Sequence, residues 1–152
     1  MSFDTPNGTR GARQPGAGPL MRWMNRFVMN RIRRKGAKTM GMNALVLTTV
    51  GRKTGQPRST PVSYFADGDN SWLIVASAAG APKNPAWYYN IAAHPDRVQI
   101  EMGNRRVDVT AAQLHGAERT RAWQQITETA PRFAKYGRQT DRELPVIRLT
   151  GL

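Results

Sequence analysis

No cysteine occurs in the 152 residues, which excludes a disulfide framework, a thiolate metal site and a cysteine nucleophile, and makes a reducing compartment the default. Acidic side chains are scarce, ten Asp plus Glu against 23 Lys plus Arg, and no paired-carboxylate constellation is visible. The only histidines, His94 and His115, lie far apart without local ligand partners, so no metal site is expected. No serine sits in a G-x-S-x-G context, which leaves hydrolysis without visible machinery. Long apolar runs are missing too. None approaches the roughly 18–20 residues of a membrane span, and the amino-terminal stretch lacks the apolar segment of a secretory signal. The expectation is a soluble, cytoplasmic chain.

What the sequence has in excess is positive charge, +13 in all. Residues 1–40 carry nine bases against Asp4 alone; the middle and the last third are far closer to balance. Such a surplus implies an anionic partner: nucleic acid, lipid headgroups, or a small molecule bearing phosphate or carboxylate. No helix-turn-helix, RNP or zinc-finger signature supports nucleic acid.

Residues 1–18 are rich in Gly, Pro, Thr and Asn and read as a disordered tail; residues 19–152 read as one domain of ordinary size. From Pro19, Leu20, Trp23, Met24, Phe27, Val28 and Ile32 recur at helical spacing among arginines, a basic amphipathic helix stopped by Gly36. Strands are expected over Ala44–Val50, Arg58–Ala66, Trp72–Ser77, Val98–Met102, Arg105–Ala111 and Leu144–Thr150. Helices are expected over Pro85–Ala93, Gly116–Thr129 and Arg132–Thr140. About six short strands with hairpin-type links indicate an α+β domain around a mostly antiparallel sheet or small barrel. Periodicity leaves open whether the sheet closes.

Two stretches carry possible chemistry. The turn Gly51-Arg52-Lys53-Thr54-Gly55 lacks the G-x-x-x-x-G-K spacing of a phosphate loop. Arg52, Lys53 and Arg58 nevertheless crowd a tight turn, an anion-binding surface or else an ordinary solvated hairpin tip. The stretch Val75–Asn90 joins small residues to Trp87, Tyr88 and Tyr89, suited to a planar ring over a small-residue strand end, or else to core packing. Arg119, Arg121, Arg138 and Arg142 read as solvated surface.

The runs Leu45–Phe65, Ile74–Ile91 and Pro131–Leu149, with the elements T-x-G-R-K-T-G-x-P-R and N-P-x-W-Y-x-N, resemble the deazaflavin-dependent nitroreductase family of actinobacteria. The resemblance spans about residues 20–150. It implies a split β-barrel related to flavin-mononucleotide-binding oxidoreductases, and as cofactor coenzyme F420, a deazaflavin with a phosphate and a polyglutamate tail. By the resemblance, Arg52, Lys53, Thr54 and Arg58 match the loop that holds phosphate and tail. Ser59, Thr60, Pro61, Val62 and Ser63 match the segment beside the ring. Val75, Ala76 and Ser77, followed by Ala78, match the strand end that meets it, and Ala86, Trp87, Tyr88, Tyr89 and Asn90 match the helix start that closes the pocket.

Two departures bear on activity. Ala78 stands where a basic residue often follows the serine in this family. Ala130, Phe133 and Tyr136 stand where some members have three tyrosines around the substrate, so one hydroxyl survives. The implied function is reduction by F420H2 of an electron-poor small molecule: an enone, a quinone or a nitro compound. Tyr136 is the first candidate proton donor and Ser77 the second; Trp23, Phe27, Phe133 and Tyr136 are candidate substrate contacts. The rival readings are a nucleic-acid-binding basic domain and a flavin-mononucleotide oxidoreductase on the same fold. The basic helix is expected to cap the pocket or to touch an anionic membrane surface peripherally, and the chain to be a monomer or homodimer.

Overall fold

A computed structural model describes residues 3–11, 19–35, 37–39 and 42–152. Its elements run α1 (Pro19–Lys35), β1 (Ala37–Thr39), β2 (Met42–Val50), β3 (Pro57–Ser63), β4 (Phe65–Ala66) and β5 (Ser71–Val75). A 3-10 turn at Ala78–Gly80 follows, then α2 (Ala86–Ala93), β6 (Val98–Met102), β7 (Arg105–Gln113), α3 (Gly116–Thr129), α4 (Arg132–Gln139) and β8 (Val146–Gly151). The sequence reading finds β6 and α3 at their observed limits. It undercounts the strands, since eight stand among the described residues. The two it misses are β1, only three residues long, and β4, which a break at Tyr64 separates from β3.

All strand pairs are antiparallel, in the order β1-β2-β6-β7-β8-β5-β4, with β3 also on β2. Ala44 pairs with both Ala37 and Ser63, which puts β1 and β3 on opposite edges of β2. The chain then leaves β3 at one margin of the sheet and, after Tyr64 alone, joins β5 at the other margin as β4. A single residue spans the two margins only if the sheet curls back on itself. This is a split β-barrel.

The curl explains why several strands are apolar at consecutive positions rather than alternately: both faces are covered. Leu45, Leu47, Ile74, Ile100, Ile147 and Leu149 point into the barrel with Tyr88 and Ile91 of α2. Leu73, Val75 and Val146 point outward under Ala122 and Ile126 of α3 and Phe133 of α4. Ala44 and Val46 point outward under Ile32 of α1, with Val28 and Met29 beside it. The β6–β7 hairpin caps α1, as Gly103 and Asn104 donate their N–H groups to the carbonyls of Ile32 and Arg33 at 2.9 and 2.7 Å. This satisfies two carbonyls that a helix end leaves open.

Residues 1–18 read as a disordered tail in the sequence, but residues 3–11 lie against the barrel. Thr5 is buried; its N–H donates to the Tyr88 hydroxyl at 3.1 Å, its hydroxyl accepts from Gln113 at 2.7 Å, and its carbonyl accepts from Asn84 at 2.9 Å. Farther along, Asp141 takes the Thr9 hydroxyl and the N–H groups of Thr9 and Arg10. Composition misleads here because polar bonds and one ring contact, Phe3 on Tyr88, do what apolar burial does elsewhere. Residues 1, 2 and 12–18 fall outside the described residues.

Candidate functional site

The basic turn between β2 and β3 is fixed from within and from below. Gly51 donates its N–H to Gln56, and Gly55 donates to Gly51, both at 2.8 Å. Gly55 has φ of +71°, a conformation that a side chain resists. The Thr54 hydroxyl accepts from the Gln56 N–H at 3.2 Å. From below, the buried Asn90 side chain accepts the Arg52 N–H and donates to the Thr49 hydroxyl, each at 3.1 Å. One amide from the middle of α2 thus staples the turn to the helix.

Between them opens a cleft of about 750 Å³ lined by Arg52, Lys53, Thr54, Arg58, Ser59, Thr60, Ala86, Trp87 and Asn90, with Gly51 and Pro85. Three cations and no carboxylate line it. The first turn of α2 faces it, with Pro85 as N-cap and no side-chain cap on the helix. Such a donor set fits a phosphate followed by a polycarboxylate tail. An aromatic wall at Trp87 next to the strand β3 suits the start of a planar ring system.

The structure thus brings nine of the candidate cofactor residues to one cleft. The others are not among its lining residues. Pro61, Val62 and Ser63 continue along β3 beyond the cleft lining. Tyr88 is 1% exposed and faces the barrel interior, its hydroxyl donating to Gln113 at 2.6 Å. Tyr89 lies behind the turn, under the Arg52 guanidinium, and donates its hydroxyl to Asn7 at 2.7 Å. Val75 and Ala76 are buried at the end of β5, and Ser77 and Ala78 are half-buried. Ser59 shares a 2.8 Å hydrogen bond with Thr48 across the strand pair.

The candidate substrate contacts are dispersed. Phe133 is buried among the outer residues under α3, in edge contact with Phe65 and Tyr136. Tyr136 is half-buried beside it. Trp23 and Phe27 stack on each other at 6.4 Å on α1, 64% and 61% exposed.

Sequence reasoning missed Arg142. It is not solvated surface but 4% exposed, and its guanidinium donates to the carbonyls of Ala76, Ser77 and Ala81 and to the Asn84 side chain. Burial lowers its pKa from the usual arginine value, opposed by Tyr89 and Tyr88. Arg119, also read as surface, is partly buried, pairs with Glu143 at 3.0 Å and donates to the Leu144 carbonyl at 2.8 Å.

Residues 20–151 match the family model of the F420H(2)-dependent quinone reductases. The chain belongs to that family. Over 110 residues the reductase is 46% identical to an F420H(2)-dependent quinone reductase of Mycobacterium tuberculosis, covering 70% of this chain and 72% of that one. A solved F420-H2 dependent reductase, FDR-A, is 36% identical with a TM-score of 0.63, covering 70% of this reductase and 92% of that chain. Another solved chain, described as a domain-swapped dimer, is 33% identical with a TM-score of 0.64 over 86% of this chain and 98% of its own. A haem storage protein of Vibrio cholerae, HutZ, shares 15% identity at a TM-score of 0.54, a likeness of fold alone. The reductase is therefore an F420-dependent oxidoreductase on a split barrel.

Proposed function

We propose that this chain takes reduced F420 in the cleft between the basic turn and α2 and passes its hydride to a small electron-poor acceptor, a quinone first, or an enone or nitro compound. The observation that carries this reading is the cleft itself, which gathers Arg52, Lys53 and Arg58 opposite Trp87 with no carboxylate among them. Reduced deazaflavin supplies the hydride from its C5; the protein's part is to bind, orient and exclude water. Arg52, Lys53 and Arg58 would hold the phosphate and tail, Trp87 and Ala86 would border the ring, and the strand end Val75–Ser77 would meet it. Holding donor and acceptor face to face removes much of the entropic cost of their meeting. Reduction of a quinone to a hydroquinone takes the hydride and one further proton, and Tyr136 is the residue assigned to deliver that proton, with Ser77 second.

The test is oxidation of F420H2 by a quinone, an enone and a nitroaromatic, followed by return of the oxidised cofactor's visible absorbance. Turnover with at least one supports the reading. Tight F420 binding without turnover of any would make the chain a carrier, and binding of flavin mononucleotide in its place would overturn the cofactor.

The place of work is proposed to be the cytoplasm, with contact to the membrane surface through α1. Among the described residues no helix is long and apolar enough to cross a membrane. The exposed Trp23–Phe27 stack and Leu20, flanked by the exposed Arg22 and Arg26, support interfacial seating, where quinones reside. Co-sedimentation with anionic vesicles, lost in Trp23→Ser/Phe27→Ser, is the expected outcome; equal binding to neutral vesicles or none would dispose of it. A homodimer is supported by the relative described as a domain-swapped dimer, and sedimentation velocity decides it.

A further inference from the structure

The end of β5 runs into a backbone segment that its sequence does not favour. Ser77 is right-handed, with φ of −80° and ψ of −32°, and then Ala78 and Ala79 follow with φ of +46° and +53°, and Gly80 with +82°. Two consecutive alanines in the left-handed region are sterically costly, and such a conformation persists only where its surroundings over-determine it. The internal bonds of the turn are few: Gly80 N–H to Ser77 at 2.8 Å and Ala81 N–H to Ala78 at 3.0 Å.

Gly80 packs against Tyr136 and Gln139 of α4, and one side chain braces the turn from both ends. The Arg142 guanidinium has five N–H groups, and five acceptor contacts meet them. Nε donates to the Ala81 carbonyl at 3.2 Å; one terminal nitrogen donates to Ala76 at 2.8 Å and Asn84 at 2.6 Å; the other donates to Ser77 at 2.8 Å and again to Ala81 at 3.0 Å. Every acceptor is neutral. The neighbouring carboxylate, Asp141, is turned to Thr9 and Arg10 instead. A buried cation bonded only to carbonyl groups is an unusual way to gain stability, because desolvating the charge costs more than neutral acceptors usually return. Its geometry nonetheless does something a hydrophobic residue there does not: it gathers carbonyls on both sides of the left-handed turn, at Ala76 and Ser77 before it and Ala81 after it, onto one rigid planar fork.

We infer that Arg142 is a positioning residue for the cofactor ring, setting the strand end Ala76–Ser77 and the turn that follows it in the only shape that presents their backbone to the deazaflavin. The inference rests on the reading, proposed above, that Val75–Ser77 meets the ring. Arg142 itself touches neither ring nor acceptor. Its effect passes through the peptide units of Ala76 and Ser77, whose carbonyls it holds and whose partner N–H groups, on Ser77 and Ala78, are thereby polarised and aimed. Lysine keeps the charge but has three donors on one atom and no fork, so it spans the turn poorly.

The test compares two ligands, F420 and the deazaflavin lacking phosphate and glutamate tail, by tryptophan quenching of wild type, Arg142→Lys, Arg52→Gln and Ser77→Leu. Arg142→Lys is expected to weaken both ligands by the same factor, about tenfold or more, with far-ultraviolet circular dichroism unchanged, whereas Arg52→Gln weakens F420 alone. A merely structural arginine would lower the melting temperature and leave the affinity of the folded protein as it was for both ligands; that result overturns the inference. Ser77→Leu reports on the underlying reading: unchanged affinity for the tail-less ring overturns the placement of the strand end, and the inference with it. Weakened binding by Ser77→Leu beside wild-type binding by Arg142→Lys rejects the role of Arg142 and keeps the site. Should Arg142→Lys fail to fold, the same titrations on Arg142→Lys/Ala79→Gly, which removes one left-handed alanine, decide between these outcomes.

Discussion

The guanidinium of Arg52 lies 5.0 Å over the ring of Tyr89, and this contact joins the basic turn to the second residue layer of α2. Tyr89 in turn donates its hydroxyl to Asn7 and receives a 3.3 Å bond from Asn84. The cation that faces the cleft is therefore backed by a ring whose own orientation is set by the amino-terminal arm.

Arg52→Gln is expected to weaken F420 about tenfold, and Arg52→Lys only a few-fold. Lysine keeps the charge toward the tail but loses the planar stack on Tyr89. Titrations at low and high salt check this: wild-type affinity falls with salt, and the Gln variant falls less steeply because one charge contact is gone.

Asn90→Ala removes both bonds of the staple, orphaning the Arg52 N–H and the Thr49 hydroxyl. The expected cost is about 1–3 kcal/mol of stability, read by urea unfolding. F420 affinity is expected to drop as well, since the turn loses its attachment to α2. A variant equally stable and equally tight would show that the turn holds its shape unaided.

The arm should respond to acid. The Thr9 hydroxyl, the Arg10 N–H and the Thr9 N–H hold the Asp141 carboxyl down from 3.8 to about 2. A depressed folded value means that this contribution to arm docking is complete above the unfolded value near 3.8 and is lost as pH falls toward 2. Amide exchange at Thr9 and Arg10 is expected to accelerate across that window while exchange in the barrel strands does not. At neutral pH Asp141→Asn should mimic the acid form, with faster tryptic cleavage after Arg10, whose carbonyl otherwise accepts the Thr140 hydroxyl at 2.6 Å.

Tyr136→Phe is expected to lower kcat for a quinone about a hundredfold, in the range that a positioned proton donor contributes, with cofactor affinity unchanged. The ring keeps its edge contact with Phe133, so loss of the hydroxyl is the only change. Unaltered turnover would assign the proton to solvent.

The helix and strand positions were legible wherever one face met the core and turn residues marked the ends. The strand Val98–Met102 and the helix Gly116–Thr129 are such cases, while the expected strand Arg105–Ala111 stops two residues short of its observed end at Gln113. The basic turn and the helix start were legible as motifs, and the fold brings them to one cleft because Asn90 ties them. Arg142 was not, since arginine by type belongs at the surface and its burial follows from three carbonyls converging out of a distant turn. The arm was misread for a related reason: its bonds go to Asn84, Tyr88, Gln113 and Asp141, and local composition carries no trace of partners that far away. Phe133 matched a substrate position in the sequence, while the outward face of β5 and β8 claims its ring for packing.

The order of synthesis gives the arm and its arginine neighbour a further meaning. Every residue lining the cleft lies between positions 51 and 90, yet the side chain that gathers the turn at 76–81 is number 142, and Thr9 leaves the ribosome 132 residues ahead of Asp141. Contacts of such long separation form late. A prematurely terminated chain can carry every cleft residue and still lack the frame that shapes their neighbour, so, if Arg142 positions the ring, cofactor retention is expected only of chains extended past position 142.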